Sequence, residues 1–158
     1  MSTIAGQVAF SVYSDKRIKD NIKADVPGLA FISKLRPVTY NLNIHRQNRM
    51  HKKFSENRFK EVEWEGKYDI EKIKMTGFIA QEVESAAKES GFDFSGVQTP
   101  KNPDELYSLR YSDFVVPLVK AVQEQQEMII KQQSIIQEQN KKIERLEKMM
   151  EAIIENKK

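Results

Sequence analysis

From Val115 onward the apolar residues keep a seven-residue register, and nothing else in the chain constrains the fold as strongly. Val115, Val122, Ile129, Ile136, Ile143 and Met150 recur at one core position, and Leu118, Gln125, Gln132, Gln139, Leu146 and Ile153 at the other. A 3.5-residue hydrophobic repeat held over about six heptads is the pattern of a supercoiled helix whose apolar stripe needs other helices to cover it. All six a positions are apolar, while the three central d positions are Gln. Gln costs stability in an apolar seam but fixes register and strand number when its amide bonds across the axis. Met128, Ile135 and Met149 at g widen the stripe beyond a narrow two-stranded seam, so three strands are expected before two. The competing arrangement is a solitary helix folded back on the rest of the chain. It fits badly, because residues 115–158 at about 1.5 Å each make a rod of ~66 Å, longer than the remaining residues can match.

The residues before this helix differ in kind. All fourteen aromatics and all six glycines lie at or before Phe114, so an aromatic core built around turns is expected there, and Gln, Glu, Lys and Ile dominate only afterwards. Residues 77–90 place Phe78, Ile79, Val83, Ala86 and Ala87 at helical spacing, with Gly91 at the C′ position. Residues 26–35 read as a second helix with Leu29, Ile32 and Leu35 on one side, stopped before Arg36-Pro37. Val38, Tyr40, Leu42 and Ile44 alternate as in a half-buried strand over residues 37–44. Residues 91–108, with Pro100 and Pro103, read as an irregular loop. Ser112 and Asp113 are the expected caps of the long helix, with Pro117 near its first turn. The expected class is α+β: a small mixed head, residues 14–114, followed by a long C-terminal helix, residues 115–158, forming a trimeric coiled coil.

Several function classes are excluded by what is missing. With no Cys there is no thiolate nucleophile, disulfide or Cys-ligated metal. No run of eighteen apolar residues exists, so no membrane span is expected, and Met1-Ser2-Thr3-Ile4 lacks the basic start and apolar core of a signal peptide. His45 and His51 have no third ligand at metal spacing, and neither a metal nor another cofactor is expected. Residues 45–60 mix six Lys or Arg with two His and two Phe. The acidic run that follows (Glu61, Glu63, Glu65, Asp69, Glu71) offsets them, and the net charge is only +3. This favours a solvated excursion between two strands over a nucleic-acid patch; a basic coiled-coil nucleic-acid binder remains a rival that the salt dependence of binding would test.

Four segments are more specific: SDKRIKDNI at 14–22, LRPVTYNLN at 35–43, TGFIAQEVE at 76–84 and YSDFVVPLVKAVQEQQ at 111–126. In this order, ahead of a coiled coil, they resemble the endosialidase-type intramolecular chaperone domain, the self-cleaving C-terminal domain of phage tailspikes, tail fibres and bacterial surface proteins. The resemblance implies a homotrimer that assists folding of an elongated upstream passenger and is then released by autoproteolysis. Residues 1–13 would be the end of that passenger, and the destination a virion or bacterial surface. It further implies a Ser-Lys dyad, here Ser14 and Lys19, cutting the Tyr13–Ser14 bond. Asp15, Arg17, Ile18 and Asn21 match the same motif. Gln81 and Glu82 also match, in a role left open between orienting the dyad, capping a helix and binding a neighbouring subunit. Tyr13 is bulkier than the small residue often found before the cut. A trimerisation module that never cuts is the alternative.

Chemistry bears on the dyad independently. A serine hydroxyl needs a base to take its proton, and lysine, with an ordinary pKa of about 10.4, must be shifted towards ~7–8 to serve. Ile18 and Ile22 flank Lys19, and Lys16 and Arg17 stand close in sequence, so desolvation and like charge are the expected causes. Five residues separate side chains by roughly 16 Å in a strand and by about 140° around a helix. A dyad therefore requires a bend between Ser14 and Lys19, or a pairing between chains.

Overall fold

A computed structural model describes residues 12–52, 64–102 and 105–156. The chain is α+β: short helices and two small sheets lead into one long C-terminal helix. A 3-10 turn at Lys16–Ile18 is followed by α1 (Leu29–Ile32), β1 (Val38–Tyr40), α2 (Ile44–Lys52), β2 (Met75–Gly77), α3 (Ala80–Glu89), β3 (Val97–Gln98), β4 (Ser108–Leu109) and α4 (Val115–Glu155). β1 pairs antiparallel with β2, Val38 opposite Gly77, and β3 pairs antiparallel with β4, Val97 opposite Leu109.

The head is built on aromatic packing. Val83, Ala86 and Ala87 form the buried face of α3, where the two small residues leave room for the buried rings of Phe31, Phe94 and Phe114. Phe31 lies 4.9 Å from Phe94 and Phe94 4.8 Å from Phe114, centroid to centroid, in tilted and edge-on geometries that suit aromatic quadrupoles. α3 ends as its sequence predicts. Gly91 takes φ +64°, its N–H bonds Lys88 O at 3.0 Å, and the Phe92 N–H reaches back to Ala87 O at 2.9 Å. That closure returns the chain so that Phe92 packs on Phe31 at 5.3 Å.

Other expectations are corrected. The helix expected over 26–35 is only Leu29–Ile32, and its fully buried residue is Phe31, off the Leu29, Ile32, Leu35 face, which is only partly buried. Glu124 Oε2 accepts the Leu29 N–H at 2.7 Å and so sets the helix start from a distant element. The strand expected over 37–44 stops at Tyr40. Asn43 Oδ1 accepts the Arg46 N–H at 2.7 Å and Glu71 Oε1 accepts those of Ile44 and His45, so two side-chain caps turn its tail into α2. The basic excursion thus begins as a helix, and residues 53–63 lie outside the described ones. The loop expected at 91–108 contains the β3–β4 ladder. Neither Ser112 nor Asp113 caps α4, which follows directly on a 3-10 turn at Tyr111–Phe114; the Asp113 carboxylate accepts instead from Ser95 at 3.0 Å and Arg110 at 3.2 Å.

α4 spans 41 residues, about 61 Å. Pro117 is its third residue, where no intrahelical bond is lost, and the helix runs through it. Pro117 and Ala121 are buried against the head. A Cβ on Gly28 would lie 2.6 Å from the Ala121 backbone N, so the glycine is what lets α1 approach this closely. The heptad stripe points elsewhere: at about 100° per residue, the Pro117, Ala121, Glu124 face lies roughly a third of a turn from it. Val122, Ile129, Ile136, Ile143 and Met150 are all exposed.

Candidate active site

The site begins from one turn. Asp15 precedes Lys16–Ile18 and caps it, Oδ1 accepting the Arg17 N–H at 2.8 Å. The same carboxylate takes the Arg17 guanidinium through Nε at 3.0 and 3.1 Å and a terminal nitrogen at 2.6 Å. Ile18 and Lys19 N–H groups return to the carbonyls of Asp15 and Lys16, each at 3.2 Å. The bend required by a five-residue spacing is therefore formed within one chain, and Lys19 Nζ donates to Ser14 Oγ at 2.7 Å. Asn21 follows at φ +53°, a left-handed conformation that Asn tolerates better than most residues, and redirects the chain after the turn.

Electrostatics here differ from expectation. The Arg17 side chain, and after it the Arg17 backbone N–H, hold the Asp15 carboxyl below its usual range, with slight burial opposing. Arg17 is raised in turn by its bond to Asp15. Arg17 is thus paired, and its charge is partly cancelled where it was expected to press on Lys19. The expected desolvation is also missing: Ile18 and Ile22 are each 65% exposed, and residues 12–25 are exposed throughout. Tyr13, the residue before the expected cut, is 93% exposed.

Glu82, in the first turn of α3, makes a two-pronged pair with Arg36 just ahead of β1, at 2.5 and 3.1 Å. That bond, with the Glu82 charge behind it, raises the Arg36 pKa. Gln81 lies exposed on the same turn. Among the described residues no hydrogen bond or ion pair joins Gln81 or Glu82 to Ser14 or Lys19. Glu82 therefore ties α3 to the approach of β1, in the helix turn where the macrodipole favours an acid.

Sequence reasoning passed over residues that hold the head together. The Tyr111 hydroxyl accepts the Phe78 N–H at 3.0 Å, and a Cβ on Gly77 would collide with that hydroxyl. Two of the quoted segments, 76–84 and 111–126, thus meet at one bond, and co-occurrence of TGF and YSDF was the available signal. Asn41 Nδ2, in a third segment, donates to the carbonyls of Glu71 and Ile73 at 2.9 and 3.0 Å. His45 stacks on Tyr68 at 3.8 Å, and among the described residues no group of His, Asp and Glu could hold a metal; the His51 side chain is outside them. Among the described residues, no helix is long and apolar enough to cross a membrane.

A family model described as chaperone of endosialidase, and named as a peptidase family, matches residues 14–92, half of the chain. The match starts at Ser14 and stops short of the 111–126 segment. No curated protein and no solved structure matches the chain.

Proposed function

The chain belongs to the chaperone-of-endosialidase family, and we propose that it is a C-terminal intramolecular chaperone that trimerises through α4, assists folding of an upstream tail-fibre or surface protein, and frees itself by cutting before Ser14. The observation that carries this reading is the 2.7 Å approach of Lys19 Nζ to Ser14 Oγ across a capped turn, at the first residue of the family match. In its neutral form the Lys19 amine takes the hydroxyl proton as Ser14 Oγ attacks the Tyr13 carbonyl carbon. The C–N bond breaks, the proton passes to the departing Ser14 nitrogen, and Tyr13 is left as an ester on Ser14 Oγ. Water then hydrolyses the ester, giving a Tyr13 carboxylate and restoring the serine. The substrate is the preceding residue of the same chain, so proximity comes from the covalent structure itself.

Support for assembly comes from the stripe itself. The six a-position residues, Val115, Val122, Ile129, Ile136, Ile143 and Met150, are 46–63% exposed along one face of α4, an apolar face that association with other helices would cover. Residues 1–13 then belong to the client, residues 14–114 form the processing head and residues 115–158 the stem. The implied destination is a virion or bacterial surface.

The exposure of residues 12–25 favours a second reading, a trimerisation module that never cuts, because the Ser14–Lys19 pair lies open to water and not in a site that excludes it. Mass spectrometry of freshly expressed chain separates the two. Cleavage releases a 13-residue fragment that Ser14→Ala does not release; an intact wild-type chain, under conditions where it has assembled, supports the non-cleaving module.

A further inference from the structure

The head sits on one flank of its own stem. In the heptad register Phe114 and Ala121 occupy g positions and Pro117 and Glu124 c positions. The first three are buried, and Glu124 holds the Leu29 N–H. The opposite flank carries Val119 at e and Val116 at b, 52% and 59% exposed. In a coiled coil a and d face the axis and e and g flank them, so Val119 lies at the edge of the seam and Val116 outside it. The chain's own head, lying on the far side of α4, does not cover them.

Rotational closure supplies an occupant. In a parallel bundle the e flank of one helix abuts the g flank of the next, a g residue facing the e residue five positions on. Position 114 of one chain therefore stands beside position 119 of its neighbour. On its own head Phe114 packs against Tyr111 at 5.8 Å, and Tyr111 also stacks on Phe78 at 6.1 Å while half of it remains exposed. We propose that the Val116–Val119 flank of α4 in a second copy of this chain seats on the Tyr111–Phe114 edge of the head, each head thus resting on its own stem and on the next. Because every chain offers both surfaces, the contact repeats around a closed ring. The inference rests on the parallel trimer proposed above and adds to it a head-to-stem contact between chains.

The absence of cysteine makes cross-linking a clean test. Chains bearing Tyr111→Cys and Val119→Cys, differently tagged, are co-expressed and treated with a short bismaleimide. The conjugate carrying both tags should exceed either homotypic product several-fold; Ser112→Cys, at an exposed position beside Tyr111, repeats the test should the tyrosine prove necessary for folding. Val122→Cys, in the seam, reports assembly separately. Seam cross-links without the mixed-tag conjugate overturn the contact and leave the trimer standing, and loss of both overturns both. Val119→Lys is a second measurement. Lysine is well tolerated at a wet e position but not beneath an apolar head, so association should weaken at least about tenfold, and unchanged association overturns the proposal.

Discussion

Gly28→Ala probes the joint between head and stem. The added Cβ would meet the Ala121 backbone N and Glu124 Oε2 at 2.6 Å and the Lys120 carbonyl carbon at 2.8 Å. Two of these are backbone atoms of α4 and have no rotamer to escape into, so α1 and α4 must separate by about 1 Å to restore ordinary contact. Overpacking of this kind costs about 1–3 kcal/mol. The same displacement stretches the 2.7 Å bond from the Leu29 N–H to Glu124, and a hydrogen bond to a charged group contributes about 1.5–3 kcal/mol. Together these give roughly 2.5–6 kcal/mol, which at about 3 °C per kcal/mol for a chain of this size lowers the melting temperature by roughly 7–18 °C at constant protein concentration. Calorimetry reads the shift. Glu124→Gln keeps the volume and an acceptor while removing the charge, and should produce the smaller part of the loss. A melting temperature within about 2 °C of wild type for Gly28→Ala would refute the reasoning, since it would mean that the head is not held to the stem by this close approach.

Three further outcomes are expected. Replacing Ile129 and Ile136 with Asp in the same chain buries uncompensated charge in adjacent seam layers and should give monomers by sedimentation equilibrium, with the head still folded. Lys19→Arg keeps the charge but stays protonated, so it should be as inactive in processing as Lys19→Ala, and combining either with Ser14→Ala should add little, as for groups that act as a unit; wild-type cutting in the Arg variant removes Lys19 from the role of base. The Asp15 carboxyl is held below the ordinary 3.8 by Arg17, so what it lends the turn is fully present above that value and is lost as pH falls through the lower folded one. The nuclear Overhauser contact between the Ser14 and Lys19 side chains should accordingly persist from neutral pH to about pH 4 and fade only below it.

What the sequence by itself determined is whatever depends on spacing along the chain. The heptads of α4, the i, i+3, i+4 face of α3 and the Gly91 closure are legible because neighbours in sequence are neighbours on a helix, and a left-handed residue after a helix asks for glycine wherever the helix lies. The need for a bend between Ser14 and Lys19 was legible for the same reason, five residues being wrong for both regular conformations. Tertiary structure decided the rest. That Phe31 rather than Leu29 is fully buried depends on Phe94 and Phe114 arriving from more than sixty residues away. α1 starts where it does because Glu124 caps it, and the tail of β1 becomes α2 because Glu71 reaches across to it, neither of which can be seen from local propensity. Desolvation of Lys19 was read from two flanking isoleucines, yet burial belongs to surfaces rather than to neighbours in sequence, and one chain leaves both isoleucines in water.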